Sequence, residues 1–357
     1  MNKEVFPFFN RIAELYSNKL PFVVYRKPNE ELVSLITQNE PIVYELTNFK
    51  ESGFVFVPFH NTGKKVIFPI EKSSLFHSKI SQYDDLFINE KQLKYKSGFN
   101  FDLAKQSHIE LVGKGLHFIQ NSKAKKIVLS REEVIEFSHF NMVNTYKKML
   151  KNYPNAFVYC WFHPEIGLWM GATPERLINL KQQAFKTMAL AGTQPFLGTT
   201  QVEWKEKEKQ EQQFVTDYIV EKIKDKIDIQ KISEPYTVKA GNLLHLRTDI
   251  FGELHNSDLL EDLINTLHPT PAVCGLPKDN ALQFILQNEN YKRTYYSGYL
   301  GELNMKDATQ LFVNLRCMQL FKNEAKIFVG GGITLNSIPE NEYEETVSKS
   351  LVMKSVF

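Results

Sequence analysis

The chain contains little cysteine: Cys160, Cys274 and Cys317 are the only three in 357 residues. They are odd in number and far apart, and no CxxC pair occurs. A disulfide framework or a Cys-based zinc site is therefore not expected. We expect all three to be reduced and to serve as packing residues.

Long apolar runs and an excess of one charge are also missing. No segment reaches the roughly 18 consecutive apolar residues of a membrane span, and the first residues lack the apolar core of a signal peptide. Lys and Arg number 43 against 41 Asp and Glu, and the basic residues are scattered. This composition does not indicate a nucleic-acid or membrane partner, and we expect a cytoplasmic protein.

No repeat, low-complexity tract or flexible linker divides the chain, so the sequence predicts a single domain over residues 1–357. Runs rich in Val, Ile, Phe and Tyr predict strands at 54–59, 126–130, 156–162, 310–321 and 326–332. Helical patterns predict helices over 130–154, 205–227 and 339–354. Strands and helices do not alternate regularly, and several strands are joined by short polar turns. The pattern favours an α+β fold with antiparallel sheets and helices packed outside them.

Two acidic helices suggest a cation site. In the last helix Glu342, Glu345 and Lys349 share one face, directly after the glycine run 330–332. In the helix 205–227, Glu211 continues the apolar stripe, and an inward carboxylate costs several kcal/mol unless it is paired or metal-bound. Both groups could instead be solvated charged faces favoured by local Lys pairing and the helix dipole. If the helices meet, they form an all-oxygen site that suits magnesium.

Two further residues suggest acid–base chemistry. Lys126 begins the apolar strand "KIVLS", where burial can lower a lysine pKa far enough to give a neutral base. Glu175 follows a Thr-Pro turn after an apolar strand, as a general acid could. Most strand-edge lysines and turn glutamates have no such role, so neither residue is decisive alone. HExxH, GxSxG and the PCxxC of zinc deaminases are all missing.

Ten short blocks in a fixed order give these residues a context. They are KIVLSR, GATPERL, ALAGT, KEKQEQQFV, NLLHLRT, LHPTPAVCG, YYSGYLGEL, NLRC, VGGGI and ENEYEETVSK. Together they resemble the chorismate-utilising enzymes, which include the isochorismate, salicylate, anthranilate and aminodeoxychorismate synthases. The resemblance covers about residues 98–354, whereas residues 1–95 are divergent. It implies two large antiparallel sheets packed together with helices on the outside.

Two positions separate the reactions of this family. Aminodeoxychorismate synthases use a lysine nucleophile at the position of Ala191, and anthranilate synthases typically lack the lysine that corresponds to Lys126. The resemblance therefore implies that water is the nucleophile and that the activity is that of an isochorismate synthase. A salicylate synthase, which goes on to eliminate pyruvate, and a catalytically silent chorismate-binding protein remain alternatives. Whether the product serves menaquinone or siderophore synthesis stays open.

The resemblance also implies the roles of individual residues. Lys126 would activate water and Glu175 would protonate the leaving hydroxyl, while Mg²⁺ would be the cofactor. Neither a glutaminase partner nor an oligomer is expected. His245 and His268 match histidines near the family's site, with a structural role equally open. The metal ligands would be Glu211, Glu342 and Glu345, and the substrate-binding residues would be Gly192, Thr193, His245, Ala272, Arg316, Gly330 and Lys349.

Overall fold

The computed structural model describes residues 5–60, 63–82, 95–97, 101–241 and 243–357. Residues 83–94 of the divergent segment, 98–100 at the start of the span of resemblance, and Asn242 of the NLLHLRT block lie outside the described residues. The described residues form seven α-helices: α1 Val5–Ser17, α2 Phe101–Gln120, α3 Met142–Asn152, α4 Glu206–Ile223, α5 Leu260–Leu267, α6 Lys278–Asn288 and α7 Pro339–Lys354.

The same residues form twenty strands. These are β1 Phe22–Arg26, β2 Leu32–Thr37, β3 Tyr44–Glu45, β4 Gly53–Val57, β5 Val66–Pro69, β6 Ser74–Lys79, β7 Tyr95–Ser97, β8 Lys126–Phe137, β9 Phe157–His163, β10 Gly167–Thr173, β11 Arg176–Lys181, β12 Ala184–Pro195, β13 Ile227–Ile232, β14 Tyr236–Ala240, β15 Leu243–Leu254, β16 Gly275–Leu276, β17 Tyr299–Met305, β18 Ala308–Val313, β19 Cys317–Leu320 and β20 Glu324–Ile333.

The strands form two ten-stranded antiparallel sheets within the described residues. The first has the order β16-β8-β20-β19-β10-β9-β1-β2-β6, with β7 also paired to β8. The second has the order β13-β15-β12-β11-β18-β17-β4-β5-β3, with β14 also paired to β15. This confirms the predicted α+β class and its two large antiparallel sheets. No helix in the described ranges is both long and apolar enough to cross a membrane.

An aromatic core holds the two sheets face to face. Phe157 of β9 stacks on Phe312 of β18 with ring centroids 4.3 Å apart, and Tyr159 and Phe56 belong to the same buried cluster. The alternate residues of β9 pack on the other face of the first sheet, in a cluster that includes residues of α1 and α3. All seven residues of β9 are buried. The strand reads as a continuous apolar run because both of its faces are covered.

Two local predictions were wrong. Residues 130–137, predicted as the start of a helix, continue β8, because ten consecutive residues of this strand pair with β20. The helix begins only at Met142, where the Asn141 side chain caps it by accepting from the backbone N–H of Asn144. The predicted strand 310–321 is two strands, β18 and β19, which lie in different sheets. Arg316 lies at the break with φ +47°, a conformation that ends an extended run.

A buried ion pair anchors the start of β8. Arg293 donates to the carbonyl oxygens of Val128 and Val273 and pairs with Glu289. Glu289 also accepts from the backbone N–H and the hydroxyl of Ser130. Both charged side chains are 2% exposed, so their partners replace the water that each would otherwise bind. This pair fixes β8 against the loop that carries Val273.

Arg293→Ala should destabilise the protein by roughly 3 to 5 kcal/mol, because it leaves the Glu289 carboxylate buried without its counter-charge. Urea unfolding of both proteins measures this difference. Lys224→Ala, which removes an exposed partner of Glu221, is the matched control and should leave the unfolding midpoint where it is. An unchanged midpoint for Arg293→Ala would contradict the anchoring role.

Candidate active site

One cavity brings the predicted residues together. It has about 840 Å³ of empty space, part of it open to solvent, and it is lined by residues of both sheets and of α4 and α7. Eleven of the twelve residues predicted for the site line it: Lys126, Glu175, Gly192, Thr193, Glu211, His245, Ala272, Arg316, Gly330, Glu345 and Lys349. The twelfth, Glu342, is buried beside Gly331.

Glu175 is a buried acid. It lies between β10 and β11, is 5% exposed, and accepts a long hydrogen bond of 3.5 Å from Thr270. Burial raises the pKa of Glu175 from 4.5 to about 7, although Lys126, Lys349 and Arg316 pull it the other way. A carboxyl group with such a pKa is protonated in about half of the molecules at neutral pH and can donate that proton.

Lys126 has a counter-charge that the sequence did not reveal. Its side chain is 1% exposed, and its Nζ lies 2.8 Å from Oε1 of Glu211. Burial alone would raise the pKa of Glu211, but Lys126, Lys349 and Lys207 lower it below its usual value. The two residues therefore form a buried ion pair, whereas the sequence analysis expected an uncharged amine.

The glycine run on β20 makes room for these side chains. A Cβ at Gly332 would clash with Oε1 of Glu211 and lie 2.9 Å from Cε of Lys126. A Cβ at Gly331 would lie 3.4 Å from Oε2 of Glu342 and 3.7 Å from Oε1 of Glu345. All three glutamates predicted as metal ligands thus approach one strand from α4 and α7. The close backbone approach explains the glycines.

Each of these glutamates pairs with a different lysine. Besides the Lys126 pair, Lys349 lies 2.7 Å from Glu345 and Lys207 lies 2.6 Å from Glu342. In the described part of the chain, no three His, Cys, Asp or Glu side chains are grouped closely enough to hold a metal ion. The three lysines are thus the counter-charges of the three carboxylates in this structure.

The donor set nevertheless fits magnesium chemically. All its donors are carboxylate oxygens, which magnesium prefers. Among the described residues, Oε2 of Glu342 and Oε2 of Glu208 are buried and lack a hydrogen-bond partner, so both have unused acceptor capacity. Burial and the neighbouring Glu345 raise the pKa of Glu342, as expected for a carboxylate with too little positive charge nearby. A cation would relieve this.

A neutral histidine positions the cavity's arginine. Arg316 donates from Nη2 to Nε2 of His245 at 2.7 Å and from Nη1 to the carbonyl of Ala240 at 2.9 Å. Since Nε2 accepts, Nδ1 carries the proton and donates to the carbonyl of Gly192 at 2.9 Å. Burial, followed by Arg316, lowers the pKa of His245 to about 3, so the ring stays neutral. His245 thereby links Arg316 to the Gly192–Thr193 corner.

Lys349 contacts both Glu345 and the glycine run of β20: besides its ion pair with Glu345, its Nζ donates to the carbonyl of Gly330 at 2.8 Å. His268, by contrast, does not line this cavity: its Nε2 lies 3.3 and 3.2 Å from the carbonyls of Pro58 and Phe59. This histidine has the structural role that the sequence analysis left open.

Sequence reasoning missed most of the apolar wall. Val128 lies two residues after Lys126 on β8, and Phe328 lies two residues before Gly330 on β20; all four line the cavity. The twofold periodicity of a strand could have revealed both. Other missed lining residues are supplied by loops and by β12, which local periodicity does not identify: Pro174, Leu190, Val273, Tyr296 and Leu315. Met353, one helical turn after Lys349 on α7, was missed as well.

Comparison with known proteins assigns the family. The sequence model of the chorismate binding enzymes matches residues 64–357, so the chain belongs to that family. Isochorismate synthase MenF of Escherichia coli K12 is 28% identical over 306 residues, which are 80% of this chain and 69% of that protein. Anthranilate synthase component 1 of Lactococcus lactis is 27% identical over 281 residues, 73% of this chain. The match spans 60% of that relative's length.

Solved structures support the fold. DhbC from Bacillus anthracis superposes with a TM-score of 0.79 at 21% sequence identity, covering 98% of this chain and 99% of that one. The similarity at this identity establishes the fold alone. Proteins named for two different reactions occur among the sequence relatives, so the reaction must be argued from the cavity's own residues.

Glu175→Gln should stabilise the protein at pH 8 and have a progressively smaller effect toward pH 4.5. The folded state raises the pKa from 4.5 to about 7, so it binds more protons than the unfolded state between these values, and stability falls as pH rises through this window. The amide removes this penalty, which is on the order of 3 kcal/mol at pH 8.

Urea unfolding of wild type and Glu175→Gln at several pH values measures the difference. Glu234→Gln, at an exposed glutamate, is the control and should show no such pH-dependent gain. A pH-independent difference for Glu175→Gln would contradict a raised pKa at this position.

Proposed function

We propose that the protein is an isochorismate synthase, which converts chorismate to isochorismate in this cavity. The observation that carries the proposal is that Lys126 and Glu175 line one cavity in which both side chains are buried, with the pKa of Glu175 at about 7. A base and a protonated acid around a single ring are what the addition of water and the loss of a hydroxyl require.

The proposed reaction needs no external reagent beyond water. Lys126 in its neutral form takes a proton as the water oxygen bonds to C2 of chorismate. The ring double bonds shift, the C4–O bond breaks, and Glu175 gives its proton to the departing oxygen, which leaves as water. Substrate and product therefore have the same composition. Afterwards Lys126 carries the extra proton and Glu175 is ionised, and proton exchange with solvent restores both.

The cavity's remaining charges suit a dicarboxylate substrate. Arg316 and the backbone at Gly330 are proposed to bind the enolpyruvyl carboxylate, and Lys349 lies at the side proposed for the ring carboxylate. Gly192, Thr193 and Ala272 would shape the wall around the ring, and all of them line the cavity. In this assignment His245 contacts substrate less than it orients Arg316, because its ring nitrogens are occupied by Arg316 and Gly192.

Magnesium is proposed as the cofactor, held by Glu211, Glu342 and Glu345. A bound Mg²⁺ would supply positive charge for the ring carboxylate, which the three glutamates would otherwise repel. We therefore expect full metal removal by EDTA to abolish turnover.

The product separates the candidate reactions. Purified protein incubated with chorismate and Mg²⁺ should yield a product of unchanged mass, because isochorismate is an isomer of chorismate. A salicylate synthase would give a product that has lost pyruvate. An anthranilate synthase would turn over only with ammonia present and would incorporate nitrogen. Mass spectrometry of the reaction mixture, with and without an ammonium salt, decides among these, and no turnover under any condition would support a silent chorismate-binding protein.

Lys126→Ala and Glu175→Gln should each lower kcat by roughly 10²- to 10⁴-fold, the usual contribution of a general base or acid. Steady-state kinetics with chorismate measures this, and Lys224→Ala, at an exposed position directly after α4, should match wild type. Unchanged turnover in both variants would contradict the roles of Lys126 as the base and Glu175 as the acid.

Gly332→Ala should abolish most activity, because the new methyl group would occupy the space of the Lys126 and Glu211 side chains. Gly113→Ala is the matched control, since a Cβ there meets nothing within 4 Å and alanine favours the helix α2. Chorismate consumption by the two variants, with their unfolding midpoints, tests this. Equal activity of both variants would show that the close approach at Gly332 is unimportant.

A further inference from the structure

Lys207 has no part in the proposed reaction, yet it makes one of the closest charged contacts at the site. It lies in the first turn of α4 and does not line the cavity. Its Nζ lies 2.6 Å from Oε1 of Glu342 on α7, and the side chain of Glu342 is only 2% exposed. This contact joins the two acidic helices at the edge of the cation site.

The other two lysines of the site differ from Lys207. Lys126 and Lys349 pair with Glu211 and Glu345, but both also line the cavity, so the substrate or water can contact them. Lys207 is 28% exposed and serves Glu342 alone among the hydrogen-bond and ion-pair partners found for it in the described residues. Its charge therefore acts on the carboxylates and not on the reacting molecule.

The charge of Lys207 opposes that of an incoming cation. A carboxylate oxygen that accepts from an ammonium group at 2.6 Å is already engaged, and two positive charges on one carboxylate repel each other. The second oxygen, Oε2 of Glu342, is buried without a hydrogen-bond partner in the described structure, so the lysine satisfies only part of this carboxylate. The protein thus supplies a cation that compensates Glu342 incompletely.

We propose that Lys207 is a built-in competitor of the divalent cation at Glu342, which stabilises the metal-free site and weakens Mg²⁺ binding. The proposal rests on the proposed magnesium site. The rival explanation is that the Lys207–Glu342 contact is a clasp that holds α4 and α7 in place for the metal. The two explanations predict opposite effects when the lysine charge is removed.

Lys207→Met removes the charge and keeps the length of the side chain. We expect the Kd for Mg²⁺ to fall about threefold to fivefold, the scale of a partly exposed ion pair. Isothermal titration of the EDTA-treated, dialysed full chain with MgCl₂, without substrate, measures it. The rise of the unfolding temperature with MgCl₂ concentration is a second readout that is independent of turnover.

Lys209→Met is the matched control, because Lys209 lies on the same helix and pairs with the exposed Glu206 at 3.0 Å. It should leave the Kd unchanged, and Lys207→Arg, which retains the charge, should stay close to wild type. Lys207→Gln gives the same readout as Lys207→Met if the methionine variant does not fold.

A Kd that is unchanged or higher in the neutral variants overturns the competitor role, and so does a failure of both neutral variants to fold, which would identify a clasp. If wild type itself shows neither binding heat nor a Mg²⁺-dependent unfolding temperature, both the proposed magnesium site and the competitor role of Lys207 are wrong. The turnover assays of Lys126 and Glu175 are separate from both results.

Discussion

The ion pair between Lys126 and Glu211 is the contact on which the arrangement of the site depends. Lys126 belongs to the first sheet, whereas Glu211 is carried by α4, which packs on β12 and β15 of the second. The two side chains meet over Gly332, where a side chain would leave no room for them. The pair thus joins β8 of the first sheet to α4, the helix packed on the second sheet, beside one residue of β20. Because the pair is buried, removing one partner would leave the other as an uncompensated buried charge, which would destabilise the folded protein.

Burial raises the pKa of the cavity's acids and lowers the pKa of its bases. It raises the pKa of Glu175 to about 7, lowers that of His245 to about 3, so that the ring is neutral at pH 7, and lowers that of Arg316 to about 10. The neutral histidine can therefore accept a hydrogen bond from the positively charged arginine without a repulsion between two cations. Because burial is the largest cause of each of these shifts, the pKa values depend on the closeness of the two sheets as well as on the neighbouring charges.

The site carries its charges in matched pairs. Three lysines pair with three glutamates on α4 and α7, and only Glu342 keeps a buried carboxylate oxygen without a partner among these three in the described residues. An anionic substrate alone would disturb this balance through the glutamates, and a cation alone would disturb it through the lysines. A divalent cation and a carboxylate that arrive together preserve it. This is a physical reason for coupling metal and substrate binding in the proposed enzyme.

The sequence by itself determined the elements whose pattern is local. Helical patterns over 205–227 and 339–354 predicted α4 and α7, and the order of ten short blocks indicated the family and twelve site residues, eleven of which line one cavity in the structure. Local pattern failed where pairing decides the structure: residues 130–137 are a strand because β20 lies beside them. Only the tertiary structure decided the partners of Lys126 and Lys207. The ionisation of a buried group is set by its distance to charges that are far away in the sequence, 135 residues for Lys207 and Glu342, and no local pattern encodes that distance.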